Sequence, residues 1–353
     1  MKKILMIMPF LSGGGAEKVF MEVATELSKN GYIVEIMIVS SAINNVDVSK
    51  LSPNIKFCFL DTSVKKAFIT LIKEIRKRDV DVIFSNFLKI NLQIGLAIKL
   101  RLLQKNIKFI ARENNIPSIE MREFGYPKII WSLYPIAYNM FDSIISQSND
   151  MRDDMIALGV KAKRVTKINN PPPVVTELNE LNDNCKVISI GRLSNQKGYD
   201  YLLQVMSILP KNISLDIYGT GELHQKLVND INKLNLCDRV ELKGHVDSDT
   251  LKYAMRNASC LALPSRYEGY PNVLLEALSK SLPVVVFDIQ GGINEIVING
   301  VNGYITPCFD VRTYANNIKE SFKLDRSEIN RDYTNRFSRI EVFEQYISLV
   351  ENS

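Results

Sequence analysis

Short apolar runs rich in Ile and Val recur along the chain, separated by segments of helical length. In the first half they fall at Ile4–Met8, Ile33–Val39, Ile55–Leu60, Val82–Ser85, Lys108–Ala111, Ser143–Ser146 and Val165–Ile168. In the second half they fall at Val187–Ile190, Leu215–Tyr218, Val240–Leu242, Cys260–Leu263, Val284–Phe287 and Tyr304–Thr306. These runs are continuous, not alternating, which suits strands covered on both faces by helices. Between them, Glu17–Asn30, Val64–Lys77, Tyr199–Leu209 and His224–Leu234 carry apolar residues at helical spacing. The β-α alternation predicts parallel, doubly wound sheets, and the two series predict two similar domains.

The boundary between the series is legible. Residues 169–184, NNPPPVVTELNELNDN, hold three consecutive prolines and then a polar stretch, which fits neither a core helix nor a central strand. The predicted organisation is a first domain over 1–170, a linker over 171–184, a second domain over 185–337 and a final helical segment over 338–353. The pattern of Ser338–Val350 suits a helix that crosses back to the first domain. Two doubly wound domains facing each other leave a cleft between the carboxyl ends of their sheets, where open α/β sheets bind ligands.

Composition narrows the chemistry. The chain has 353 residues, 46% hydrophobic and 24% charged, as in an ordinary globular protein. Its five cysteines are scattered without a C-x-x-C pair, which excludes a disulfide scaffold and a cysteine zinc site. The only histidines are His224 and His245, so a histidine-rich metal site is excluded. The opening MKKILMIMPF imitates a signal peptide, but the run stops at Pro9 without a small-residue cleavage site and reads as a first strand. The uncharged stretch 129–141 is too short for a bilayer, which needs ~20 residues. A cytoplasmic protein is expected, at most peripheral at the inner face of the cell membrane. The net charge of +5 conceals a split: residues 1–178 hold 25 Lys and Arg against 17 Asp and Glu, while the remainder nets −3.

Three loops carry candidate chemistry. The segment S-G-G-G-A-E-K at 12–18 follows the first run and reads either as a tight glycine turn or as an anion site at a helix N-terminus. It lacks the spacing of a dinucleotide fingerprint and the ending of a P-loop. The segment G-R-L-S-N-Q-K-G at 191–198 places Arg192 and Lys197 on one loop, as solvated cations or as a clamp for a diphosphate. The segment L-P-S-R-Y-E-G-Y-P-N-V-L-L-E-A-L at 263–278 predicts a strand end, a loop with Glu268 and Gly269, and a helix from Pro271. Amides at Asn272, Val273 and Leu274 would then favour a phosphate, and Glu268 and Glu276 offer carboxylates to a sugar and a ribose.

The E-x7-E spacing, preceded by P-S and joined to G-R-L-x4-G upstream, resembles the retaining glycosyltransferases of family 4. The stretches LDIYGTG (Leu215–Gly221), RVELKGHV (Arg239–Val246), LPVVV (Leu282–Val286) and NGVNGY (Asn299–Tyr304) fall in that family's order, and G-G-A-E-K at 14–18 matches its N-terminal loop. The resemblance implies the GT-B fold: two Rossmann-like domains and a C-terminal helix returning to the first. It implies metal-independent transfer of a sugar from a nucleotide-sugar, with retention and without a cofactor. Arg192 and Lys197 would neutralise the departing diphosphate, Glu268 would contact donor-sugar hydroxyls and Glu276 the ribose. Gly14 and Gly15 would bring amides to the phosphate. Gly219, His245, Gly269, Asn272, Val273 and Leu274 would complete the donor site, with the Lys243–His245 turn bordering the base.

The acceptor side is fainter. Many relatives place a histidine on the first domain, where this chain has none; Arg112, Glu113 and Asn114 follow a strand at about that position. Basic residues Lys65, Lys66, Lys73, Arg76, Lys77 and Arg78, with the aromatics Phe124, Tyr126, Trp131, Tyr134, Tyr138 and Phe141, suit an anionic membrane surface or a charged solvated face. A UDP-sugar donor and a lipid-linked or polysaccharide acceptor are expected, and no nucleic-acid motif accompanies the charge. The alternatives are a nucleotide-sugar 2-epimerase on the same scaffold and a non-catalytic partner of another transferase.

Overall fold

The computed structural model describes residues 1–40, 54–175 and 185–352; part of the expected linker, 176–184, lies outside them. The chain forms two compact units, Met1–Pro171 with Ile340–Ser353, and Pro172–Arg339.

The first unit contains β1 (Lys3–Met8), β2 (Ile33–Ile38), β3 (Lys56–Phe59), β4 (Val82–Asn86), β5 (Lys108–Arg112), β6 (Ser143–Ser146) and β7 (Val165–Lys167). They pair in parallel in the order β3-β2-β1-β4-β5-β6-β7. Alternate residues of β1 feed two cores: Leu5 and Ile7 face one, Ile4, Met6 and Met8 the other. That explains the unbroken apolar run, because neither strand face meets water. The helix Arg339–Glu351 packs Val342, Phe343, Tyr346 and Val350 into the second of these cores. Lys2 Nζ donates to the Val350 carbonyl at 2.8 Å.

The second unit contains β8 (Lys186–Ile190), β9 (Ser214–Tyr218), β10 (Val240–Gly244), β11 (Cys260–Leu263), β12 (Val284–Phe287) and β13 (Gly303–Thr306). These too are parallel, ordered β10-β9-β8-β11-β12-β13. Each sheet reverses its winding once, between β1 and β4 in the first and between β8 and β11 in the second. Loops leaving the carboxyl ends at such switch points are where open α/β sheets bind ligands.

One expected helix is divided. Val64–Lys77 is a 3₁₀ turn, Val64–Lys66, then a helix over Phe68–Arg76, with the fully buried Ala67 at the junction. Lys66 and Ala67 close i→i+3 bonds to Ser63 and Val64, which tightens the first turn. Among the described residues no helix is long and apolar enough to cross a membrane.

Candidate functional site

In the second unit, the loops after β8 and β11 meet at the switch point. After β8 the chain turns at Gly191, forms a 3₁₀ turn over Asn195–Lys197, passes Gly198 and enters the helix Tyr199–Ile208. Gly198 has φ 64°, and a Cβ there would lie 2.0 Å from the Pro264 carbonyl oxygen, so only glycine lets the two loops approach this closely. Arg266 fastens them. Its amide donates to the Gln196 carbonyl at 2.8 Å, and its guanidinium forks onto Asp200 at 2.7 and 3.0 Å and lies 4.6 Å from the Tyr201 ring centroid. Burial opposes the charged form of Asp200, and Arg266 outweighs it, holding that carboxyl below its usual value. Gln196 Nε2 adds a bond to the Tyr267 carbonyl at 3.0 Å.

This scaffold brings Lys197 and Glu268 together. Lys197 Nζ lies 2.6 Å from Glu268 Oε1, and the side chains are only 17% and 8% exposed. Ser265 Oγ donates to the same oxygen at 2.6 Å. The Glu268 amide donates to the Gln290 carbonyl at 3.3 Å, and Gly292 donates to the Gly269 carbonyl at 2.9 Å, so the loop after β12 braces this one. Arg192 is exposed on the β8 loop, with no side-chain partner among the described residues. Tyr199 closes the loop through its hydroxyl, 3.0 Å from the Gly191 carbonyl. Gly219, after β9, sits so near that a Cβ would lie 2.0 Å from the Gly191 oxygen, and its amide bonds the Gly244 carbonyl at 2.8 Å. That ties the Lys243–His245 turn to the same edge; His245 is exposed, and Lys243 pairs with Glu241 at 2.6 Å.

The helix after Glu268 begins at Asn272, with Pro271 as its N-cap, and runs to Leu278. Asn272, Val273 and Glu276 are half-buried and Leu274 is fully buried. The Leu274 amide is already spent on the Pro271 carbonyl at 3.1 Å, so the expected row of three available amides is shortened.

The first unit corrects the glycine loop. The helix Gly15–Lys29 follows it, but the loop amides serve an internal anion: Glu17. Its carboxylate, 3% exposed as a residue, accepts from the amides of Ser12 (2.5 Å), Gly13 (2.8 Å) and Gly14 (3.4 Å) and from Ser12 Oγ (2.8 Å). The Gly14 amide therefore already has an anionic acceptor, and Gly15 is the first helical residue.

Arg112 and Glu113 are fully buried, not displayed to an acceptor. Arg112 donates to Tyr346 OH at 3.2 Å, to Asn170 Oδ1 at 2.6 Å, to Asn86 Oδ1 at 3.5 Å and to Asn114 Oδ1. It is a strut joining the ends of β4 and β5 to the C-terminal helix. Glu113 Oε1 accepts from Asn91 Nδ2 at 3.0 Å and from Tyr138 OH. Burial pushes its carboxyl well above the ordinary range. Half-buried Asn114 donates to Asn86 Oδ1 at 2.6 Å.

The aromatic stretch is also corrected. Tyr134, Tyr138 and Phe141 are fully buried, Tyr126 and Trp131 half-buried, and Phe124 alone of the six is exposed. Tyr134 and Tyr138 stack at 4.0 Å within the sheet-facing core. Lys65, Lys66, Lys73, Arg76 and Lys77 are exposed, whereas Arg78 is half-buried and pairs with Glu35 and Glu74 at 2.8 and 3.1 Å. Two Asp-x-Asp triplets are employed elsewhere: Asp79 pairs with Lys3 at 2.6 Å, and Asp247 caps the helix Ser248–Arg256.

Ser265, Gln196, Arg266, Asp200 and Glu17 join the candidate residues only in the structure. The signals were available in Ser265 three residues before Glu268 and in Glu17 at the third position of its helix.

Two parallel sheets with flanking helices and loops at their switch points are two Rossmann-like domains of the GT-B fold. The description "Glycosyltransferase Family 4" matches residues 13–172 and "Glycosyl transferases group 1" matches 176–337. The chain belongs to glycosyltransferase family 4. An uncharacterized glycosyltransferase of Haemophilus influenzae is 28% identical over 330 residues, 92% of this chain and 89% of that protein. An N-acetylgalactosamine-N,N'-diacetylbacillosaminyl-diphospho-undecaprenol 4-alpha-N-acetylgalactosaminyltransferase of Campylobacter jejuni is 24% identical, covering 95% of this chain and 94% of its own. The crystal structure of Anabaena Alr3699/HepE in complex with UDP and glucose shares the fold, with a TM-score of 0.84 at 18% identity and full coverage of both chains. The relatives are transferases, and the epimerase alternative is not favoured.

Proposed function

We propose that the protein transfers a hexose from a UDP-sugar, with retention and without a metal, to a lipid-linked or polysaccharide acceptor. The observation that carries this reading is the Lys197–Glu268 pair at the switch point of the second sheet, with Arg192 exposed on the same loop. Breaking the bond between the sugar C1 and the phosphate oxygen builds negative charge on the diphosphate, and cations fixed beforehand stabilise that charge as it develops. Lys197 supplies a point charge, and Arg192 can fork onto two oxygens. The acceptor oxygen bonds C1 on the face the diphosphate leaves, and its proton passes to the departing phosphate oxygen. No separate base is then required, which accords with the burial of Glu113. Glu268 would hold donor-sugar hydroxyls and Glu276 the ribose.

UDP is favoured because the fold neighbour was solved with UDP and glucose, and a lipid-linked acceptor because of the Campylobacter relative's named substrate. The exposed basic residues of the first unit offer an anionic membrane surface a place to approach, as a peripheral contact at the inner face of the membrane. A panel of UDP- and GDP-sugars scored for thermal stabilisation tests the donor assignment. UDP-sugars should raise the melting temperature by mass action. Stabilisation by GDP-sugars alone would overturn the UDP assignment, and stabilisation by none would overturn the donor site.

A further inference from the structure

At the switch point of the second sheet, Lys197 and Glu268 are already committed to each other. Glu268 Oε1 takes Lys197 Nζ and Ser265 Oγ, each at 2.6 Å, while Oε2 accepts no hydrogen bond among the described residues. The pair is mostly shielded from water, so its attraction is stronger than that of a surface pair and its separation leaves two costly charges. An arriving diphosphate therefore competes with Glu268 for Lys197.

We propose that donor binding exchanges this ion pair: the diphosphate captures Lys197, and Ser265 retains the released Glu268 carboxylate in place for the hydroxyls of the donor sugar. The inference rests on the donor-site reading given above. It assigns Ser265 a positioning role and gives the pair a function in turnover. An intact nucleotide-sugar compensates both charges, the phosphate on Lys197 and the sugar hydroxyls on Glu268. A nucleoside diphosphate without its sugar compensates only Lys197 and strands Glu268. After transfer, Glu268 recaptures Lys197 and weakens the hold on the product diphosphate. The site thus discriminates its substrate from its product with two side chains already in contact.

The test is calorimetric titration of UDP, with GDP in parallel, into the wild type, Glu268→Gln, Lys197→Gln and the double variant. Thermal melts of each unliganded variant establish that it is folded. Glu268→Gln keeps the shape of the side chain and frees Lys197, so UDP should bind about threefold to tenfold tighter than to wild type. Lys197→Gln should bind about tenfold weaker. In the Lys197→Gln background, Glu268→Gln should add nothing, because the competitor has no cation left to hold. Ser265→Ala shifts the other way: without the hydroxyl the released carboxylate is unsupported, and UDP binds severalfold weaker. Unchanged or weaker UDP binding to Glu268→Gln would overturn the exchange. So would an equal gain in both backgrounds, since the carboxylate would then act through its field alone. If Lys197→Gln binds both nucleotides as the wild type does, the donor-site reading fails and the exchange with it.

Discussion

Glu17 sets a sharp test of the glycine loop. Its carboxylate fills a cradle of three backbone amides and one hydroxyl, between 2.5 and 3.4 Å away. Hydrogen bonds to a charged group contribute ~1.5–3 kcal/mol each when buried, and less where water can replace them. Ser12 and Gly14 are half-buried and Gly13 is exposed, so water recovers part of the loss after truncation. Glu17→Ala should therefore cost about 2–4 kcal/mol. Trp131 is the only tryptophan and lies in the first unit, so its fluorescence in urea follows the unfolding of the unit that holds Glu17. The variant also empties an anion site at a helix N-terminus, and inorganic phosphate should then raise its stability more than it raises the wild type's. A loss below about 0.5 kcal/mol, with equal phosphate effects on both proteins, would refute the view that Glu17 is the loop's resident anion.

Other expectations follow from single contacts. Gly198→Ala combines left-handed backbone with a Cβ 2.0 Å from the Pro264 oxygen, and should cost at least about 2 kcal/mol and displace Lys197; melting and UDP binding read both effects. Arg112→Met removes the buried guanidinium that donates to Asn114, Asn170 and Tyr346, and should cost about 2–4 kcal/mol, with faster hydrogen exchange in the helix Arg339–Glu351. Burial pushes the Glu120 carboxyl from 4.5 up to about 7, against the pull of Lys89. Folding then favours the protonated form, so its stabilising share is full below about pH 4.5 and is lost as pH rises through about 7. Glu120→Gln should flatten that decline by up to roughly 3 kcal/mol between pH 5 and 8 in urea titrations; an identical pH slope would refute the assignment.

The central strands were readable because they are buried on both faces and write an uninterrupted apolar run, as Ile4–Met8 does with its two-sided packing. The break inside Val64–Lys77 was not, because a 3₁₀ turn and an α-turn carry nearly the same apolar spacing. Motif spacing located the loops with Lys197 and Glu268, yet contact between their side chains depends on Gly198, Arg266 and Asp200, whose pairing spans about seventy residues of chain. The glycine loop misled for a related reason. A cradle of amides attracts any anion, and the sequence does not say that its own Glu17, three residues on from Gly14, reaches back to fill it. The aromatics of 124–141 read the same in a membrane-facing helix as in a helix laid on a sheet, and only packing against the core distinguished them.

The most direct measurement is the anomeric configuration of the product formed from an α-linked UDP-sugar, followed by NMR with a diphospholipid or glycan acceptor. Retention requires an α-linked product, with release of UDP, and loss of turnover in Lys197→Ala. A β-linked product, or full turnover in Lys197→Ala, would contradict it.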